Sequence, residues 1–133
     1  MSNHFHAVRA FSVVVVCGLL AGCASSGTTS SASPLVGKYQ SGGGIAIFSA
    51  DGTYRGSTPD GEDWVKGTYT VDGNMLTMSD TWEDPAVIQP SCIGVPGRYT
   101  WEIKNDTLIA RAVDDACEAR KQATSGTAWK RLP

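Results

Sequence analysis

The sequence predicts an all-β domain, a small antiparallel up-and-down barrel of about eight strands with a short helix near the C-terminus. Three observations predict it: short β-prone runs joined by turn dipeptides, alternation of apolar and polar residues within those runs, and a Gly-x-Tyr sequence that recurs at strand starts. A chain of 133 residues has room for one domain. Its net charge of −2 gives no basic surface for a phosphate backbone, so we expect no nucleic-acid partner.

The first elements are an entry strand and a hairpin. Residues 35–40 are β-prone and follow a proline, and the glycine-rich segment 41–44 ends that strand. The runs 45–49 and 53–57 meet at Asp51-Gly52, a dipeptide that tight hairpin turns favour. These residues therefore predict three consecutive antiparallel strands.

The rest of the chain repeats the hairpin pattern. Four β-prone runs flank the turn dipeptides Asp72-Gly73 and Asn105-Asp106, namely residues 64–71, 75–79, 98–104 and 107–113. Between the two hairpins, residues 80–97 contain three prolines and predict a long loop. Residues 114–123, which include Cys117, predict a helix, and residues 127–131 predict the last strand.

Alternation assigns the inner face of this sheet. In residues 98–104 the large apolar side chains occupy every second position, the period of a strand with one buried face. The same rule turns Ala110 and Ala112 inward, where they leave either an apolar cavity or space filled by facing aromatic side chains. Closure into a barrel removes the two sheet edges. The predicted inward row is Tyr69, Val71, Leu76, Met78, Tyr99, Trp101, Ile103, Leu108, Ala110 and Ala112.

Residues 1–22 predict a signal peptide. A short basic start precedes an apolar run at 10–20, which is too short to span a bilayer. The following Leu20-Ala21-Gly22-Cys23 resembles the lipobox of bacterial lipoproteins, and the resemblance implies that Cys23 is lipidated and becomes the new N-terminus. Residues 23–33 are rich in serine and threonine and lack large apolar groups, so they predict a flexible tether before a domain at 34–133.

Two cysteines remain beyond the predicted lipid anchor. Export into an oxidising compartment favours a disulfide, and Cys92 with Cys117 allows a single pairing. The chain beyond Cys23 has no Cys-x-x-Cys and no histidine, which argues against a redox pair or a zinc site. We therefore expect a disulfide between Cys92 and Cys117, and neither a metal nor a cofactor.

Residues 34–133 resemble small bacterial lipocalin-like domains. The resemblance rests on these motifs: Gly37-x-Tyr39, Phe48-x-x-Asp51-Gly52-x-Tyr54, Gly97-x-Tyr99-x-Trp101, and Asp115-x-Cys117-x-x-Arg120 followed by Trp129. Lipocalins place a tryptophan at the barrel floor against an arginine near the last strand. The resemblance implies that Tyr39 and Arg131 take these two places, in a barrel with a ligand cup.

Charged clusters outside the predicted strands are interpreted as exposed to solvent. The acidic groups at 60–63, 80–84 and 114–118 match no calcium loop and fit turns and a helix start. The basic pairs Arg120-Lys121 and Lys130-Arg131 fit a solvated rim. Because the chain beyond Cys23 has no histidine, acid–base chemistry there falls to carboxylates or lysine, so a carboxylate-dependent hydrolase is the rival enzymatic hypothesis.

The predicted function is binding without catalysis. The aromatic residues are numerous enough for a core and for an amphipathic pocket. The candidate ligand contacts are Tyr69, Trp82, Tyr99, Trp101 and Ala110, with Trp82 expected to be partly exposed in an acidic loop. We predict a lipoprotein of the bacterial cell envelope that is anchored in the membrane through Cys23 and holds a small apolar or amphipathic ligand. The lipobox resemblance, with Ala24 next, implies the periplasmic face of the outer membrane in a diderm host. The alternative is a packed scaffold or inhibitor-like domain that contacts another envelope protein.

Overall fold

A computed structural model describes residues 33–133. The predicted signal peptide, Cys23 and the predicted tether up to residue 32 lie outside the described residues. The elements are β1 (Gly37–Ser41), β2 (Gly44–Phe48), β3 (Thr53–Ser57), β4 (Asp63–Asp72), β5 (Met75–Glu83), β6 (Gly97–Lys104), β7 (Thr107–Asp115), α1 (Glu118–Thr124) and β8 (Ala128–Arg131).

The eight strands form a closed antiparallel barrel in sequence order. Each strand pairs with its successor, and β8 closes the sheet on β1 through the pairs Tyr39–Arg131 and Gln40–Lys130. The predicted fold class, with its short C-terminal helix, is thereby confirmed. The barrel has its own complete sheet and core within the compact unit Ser31–Pro133, so this unit meets the criteria for independent folding.

The up-and-down topology separates the connections into two ends. One end, called here the floor, carries the tight connections 49–52, 73–74 and 105–106, together with the start of β1 and the end of β8. The opposite end, called here the mouth, carries the other connections: residues 42–43, 58–62, 84–96 and the helix-containing segment 116–127. The chain therefore enters the barrel at the floor, and its longest connections lie at the mouth.

Aromatic side chains fill the floor half of the barrel. The ring of Phe48 packs edge-on against Tyr69, with ring centroids 5.1 Å apart, and against Tyr39, at 6.2 Å. The Arg131 guanidinium lies 4.9 Å above the Tyr39 ring and donates hydrogen bonds to the carbonyls of Pro34 and Val36. The contact between Tyr39 and Arg131 that the sequence resemblance implies is therefore present at the floor.

Two glycines of the Gly-x-Tyr repeat leave room for polar side chains from neighbouring strands. A Cβ atom on Gly67 would overlap the ring of Tyr54, and a Cβ atom on Gly97 would overlap the carboxylate of Asp115. Because any larger residue would displace these buried groups, the repeat marks close approach between strands.

The mouth differs from the sequence prediction in two boundaries. Strand β5 continues through Glu83, so Asp80 and Trp82 lie on a strand and the loop begins only at residue 84. Helix α1 covers residues 118–124, so it begins four residues later than the predicted helix at 114–123. The reason is that β7 continues to Asp115. The described part of the chain contains no helix long and apolar enough to cross a membrane.

Candidate ligand-binding cavity

A cavity of about 320 Å³ occupies the mouth half of the barrel. It lies beyond the aromatic floor, and Phe48 borders both. Its wall is largely apolar and includes Phe48, Leu76, Met78, Leu108, Ala110 and Trp129. The volume reaches the lower end of the range of small-molecule sites, and the apolar wall matches their usual composition.

Two segments cover the mouth of this cavity. The loop 84–96 contributes Val87 and Ile88 to the cavity wall, and α1 contributes Ala119 and Ala123. The disulfide Cys92–Cys117 ties the loop to the residue before the helix, with the two Cα atoms 5.5 Å apart. The loop and the helix therefore form one cross-linked cap, which confirms the predicted pairing of these cysteines.

Two tryptophans of the cavity wall, Trp64 and Trp129, lie beside Gly44. The rings of Trp64 and Trp129 both come close to Gly44, about 3.2 and 3.3 Å from the place where a Cβ atom of that residue would lie. The missing side chain of Gly44 thus leaves room for both indoles. Sequence analysis interpreted this glycine only as part of the segment that ends the first strand.

A buried ionic cluster lies between the cap and the barrel wall. Arg120 of α1 donates from Nε and Nη2 to the carboxylate of Asp115, both at 2.8 Å, and from Nη2 to the carbonyl of Val95 at 2.6 Å. Its Nη1 lies 2.9 Å from Asp80 Oδ1. The side chains of Arg120, Asp80 and Asp115 are 6%, 1% and 0% exposed, so the two ion pairs are shielded from solvent.

Two tyrosines complete this group, which we call the Arg120 cluster: Arg120, Asp80, Asp115, Tyr54 and Tyr99. Tyr54 donates its hydroxyl proton to Asp80 Oδ1, and Tyr99 donates to Asp115 Oδ2. Burial, together with these carboxylate acceptors, raises the pKa of both phenols well above the ordinary value. Both tyrosines therefore act as hydrogen-bond donors throughout the physiological range.

The two carboxylates of the Arg120 cluster differ in how well they are satisfied. Asp115 accepts from Arg120, Tyr99 and the Cys117 backbone N–H. Burial raises the pKa of Asp115, but these hydrogen bonds outweigh it and hold the pKa below its ordinary value. Asp80 Oδ2 has no hydrogen-bond partner. Burial and, to a smaller extent, the neighbouring Glu83 carboxyl raise the pKa of Asp80, and Tyr54 and Arg120 offset this rise only in part.

Glu83 fixes the cap loop to the end of β5. Its carboxylate accepts from the hydroxyl of Ser91 at 2.7 Å and from the backbone N–H of Cys92 at 2.8 Å. Glu83, Asp80, Asp115 and Arg120 are all buried. The interpretation of these charged groups as exposed turns and rim was therefore wrong, because the strand and helix boundaries place them between the barrel and its cap.

The five predicted ligand contacts occupy different parts of the molecule. Ala110 lines the cavity. Tyr69 packs in the aromatic floor and donates to the Ser49 carbonyl at 2.7 Å, and Tyr99 belongs to the Arg120 cluster. Trp101 borders a separate surface depression beside Glu102, and Trp82 is 44% exposed with Lys66 Nζ 5.2 Å from its ring. The structure thus brings one of the five to the cavity.

Sequence analysis missed Asp80 and Arg120 as residues of the site. A signal existed for Asp80, because it continues the period-two row of Leu76 and Met78 onto the inner face. Arg120 belonged to the motif that carries the lipocalin resemblance, yet its pairing with Lys121 was interpreted as a rim. The period-two pattern that continues past the predicted end of β5 is the feature that points to Asp80.

Within the described residues, one group of side chains has the spacing of metal ligands, and it combines Asp80 with the two cysteines of the cap. Oxygen and sulfur atoms of Asp80, Cys92 and Cys117 lie within 4.8 Å of one another. The thiolate is the form of cysteine that binds metals, and both sulfur atoms are joined in the disulfide. This proximity therefore reflects the cross-linked cap above Asp80 and does not form a metal site while the disulfide is intact.

Comparisons of the chain with known protein families, with curated proteins and with solved structures find no match.

Proposed function

We propose that this barrel is a non-catalytic binding module that holds a small apolar or amphipathic molecule in its mouth cavity. The single observation that carries the proposal is the cavity itself, about 320 Å³ and largely apolar in its wall. A barrel built only as a scaffold gains stability from filling such a space, because atoms that line a void have no packing partner on one side. A space retained beside a packed aromatic floor therefore favours a bound guest over the scaffold alternative.

The cap gives the cavity a defined entrance. Its two segments contribute apolar side chains to the cavity wall and are joined to each other by the disulfide. The loop between Glu83 and Cys92 is held at Glu83 by hydrogen bonds and at Cys92 by the disulfide. The arrangement supports a site that shields an apolar guest from water.

The carboxylates give less support to a hydrolase. Asp80 and Asp115 both contact Arg120, and Asp115 is occupied by donors from three residues. A pair of carboxylates that performs glycoside hydrolysis needs separate acid and base roles on either side of a substrate bond. One carboxylate here is committed to a structural ion pair, so we favour binding over hydrolysis.

We also propose that the module is tethered to the bacterial cell envelope by lipid on Cys23, at the periplasmic face of the outer membrane in a diderm host. The described chain enters the barrel at the floor, the end opposite the mouth. The test is fractionation of cells grown with labelled fatty acid. The full-length protein should incorporate label, and Cys23→Ser should not. Equal labelling of both would contradict the lipid anchor.

The binding proposal is tested by filling the cavity. Ala110 is 2% exposed and lines the cavity wall, so Ala110→Leu should occupy the space that a ligand needs. We expect the variant of the Ser31–Pro133 unit to stay folded and to lose uptake of N-phenylnaphthylamine, an uncharged apolar fluorophore. The matched control, Ala128→Leu, places the same side chain at an exposed position of β8 and should keep uptake.

The opposite pattern would favour the scaffold. If the space cannot accept a leucine, Ala110→Leu overpacks the barrel and lowers the free energy of unfolding by about 1–3 kcal/mol. That loss, combined with no fluorophore uptake by the unmodified unit, would rule out the binding module.

A further inference from the structure

The cavity wall is largely apolar, and three charged residues contribute to it. Arg55 is about half exposed and pairs with Asp63. The other two, Asp80 and Arg120, lie beneath the cap. Both side chains are more than nine-tenths buried. Asp80 Oδ2 has no hydrogen-bond partner, and Arg120 Nη1 touches Asp80 Oδ1 at 2.9 Å without forming a hydrogen bond. An unpaired buried carboxylate oxygen is costly, so its presence beside a cavity calls for a specific partner.

The charge around this oxygen is unbalanced. The buried acidic and basic side chains of the described barrel are three carboxylates, on Asp80, Glu83 and Asp115, and one guanidinium, on Arg120. Asp115 takes two hydrogen bonds from that guanidinium, whereas Asp80 takes a single ion contact. The buried carboxylates near Asp80 therefore outnumber the single guanidinium, and the excess negative charge disfavours an anionic head group.

We propose that the cavity selects an apolar molecule with a cationic amine head, and that Asp80 Oδ2 accepts a hydrogen bond from that amine. The apolar part of the ligand lies against Phe48, Leu76, Met78 and Leu108. The inference rests on the proposed function, because it names the chemical class of the ligand for the same cavity. An ammonium group supplies both the missing donor and the missing positive charge, while an alcohol supplies only a donor and a carboxylate supplies neither.

Three amphiphiles with the same alkyl chain test the head-group preference. Decylamine, decanol and decanoate are titrated calorimetrically into the Ser31–Pro133 unit at neutral pH and at concentrations below micelle formation. We expect decylamine to bind most tightly, decanol less tightly and decanoate least. A charge-assisted hydrogen bond in a shielded site corresponds to about a tenfold to hundredfold difference in affinity.

A variant assigns the preference to one oxygen. Asp80→Asn removes the negative charge and should reduce decylamine affinity by about tenfold to hundredfold while changing decanol affinity much less. The matched control is Asp60→Asn, which removes the same charge from an exposed loop at the mouth. We expect the control to bind all three amphiphiles as the unmodified unit does.

The outcomes separate this inference from the function on which it rests. If none of the three amphiphiles binds, the cavity is not a ligand site and both proposals fail. If decanol binds but decylamine shows no preference, or if Asp80→Asn keeps that preference, the head-group inference alone is overturned. The order of the three affinities in the unmodified unit decides the question even if the variant does not fold.

Discussion

Arg120 contacts two aspartate–tyrosine pairs, which contain the same residue types but differ in their hydrogen bonding. On one side, Asp115 and Tyr99 join β6 and β7 to the helix, and the Cys117 backbone N–H supplies a further donor. On the other side, Asp80 and Tyr54 join β3 and β5 beside the cavity, and one carboxylate oxygen has no donor. Each side contains a glycine that leaves room for a polar group, Gly97 and Gly67.

This difference shows that two carboxylates of one buried polar network can have different roles. A carboxylate whose donors are all supplied by the protein fixes the structure around it, because breaking any contact leaves a buried charge unpaired. A carboxylate with a free oxygen beside an apolar cavity retains binding capacity for a guest. We therefore assign Asp115 to the attachment of the cap and Asp80 to the site that the cap covers.

The largest expected effect concerns Asp115. Asp115→Asn weakens both ion contacts with Arg120 and should lower the free energy of unfolding by about 3–5 kcal/mol. Asp80→Asn should lower it by about 1 kcal/mol or less, because Asp115 still pairs with Arg120 and an excess carboxylate is removed. Urea unfolding of both variants measures the contrast. Equal losses would remove the distinction between the two sides.

The disulfide gives the next largest effect. Cys92 and Cys117 are 25 residues apart, and opening a loop of that size costs about 3.5 kcal/mol in the chain-entropy account. We expect Cys92→Ala with Cys117→Ala to lower the melting temperature by several degrees per kcal/mol lost. Amide hydrogen exchange should show the loss of protection first in the cap, residues 84–96 and α1. Unchanged protection of the cap in the double variant would contradict this role of the cross-link.

The pH dependence of stability should differ in sign between the two carboxylates. Burial raises the pKa of Asp80 above its ordinary value of 3.8, so its ionisation costs stability as pH rises from 3.8 through the folded-state pKa. The pKa of Asp115 lies below 3.8 despite burial, owing to its hydrogen bonds, so its contribution is complete above pH 3.8 and is lost as pH falls through the folded-state pKa.

Two unfolding series across this range test the signs. Relative to the unmodified unit, Asp80→Asn should gain stability as pH rises above about 4, whereas the deficit of Asp115→Asn should shrink as pH falls below about 4. Parallel curves for both variants would show that neither carboxylate has a shifted pKa of the proposed sign.

The fold was predictable because its elements are local. Turn dipeptides such as Asp51-Gly52 and Asn105-Asp106 specify hairpins within a few residues, and period-two alternation assigns the inner face without knowledge of distant partners. Closure follows because each strand pairs with its neighbour in sequence. The expected disulfide followed from the two cysteines that lie beyond the predicted lipid anchor.

The site was less predictable because it depends on where strands end and on what covers them. Asp80 looked like a loop residue because the acidic character of 80–84 hid the extension of β5 to Glu83. Arg120 looked like a rim residue because no local pattern reveals a guanidinium that faces two carboxylates from different strands. Contacts between residues distant in sequence made these charges buried.

The smallest expected effect concerns Trp82, which is two residues from Asp80 but lies outside the cavity wall. It is 44% exposed, and Lys66 Nζ lies 5.2 Å from the centre of its ring. An exposed cation–π contact contributes about 0.5–1 kcal/mol, so Trp82→Ala should lower the free energy of unfolding by about that amount. It should leave the binding of decylamine unchanged. Lys66→Met, which keeps an apolar stem over the ring, should reproduce most of the stability change. Loss of amphiphile binding in Trp82→Ala with an intact fold would extend the site from the cavity onto the outer surface beside β5.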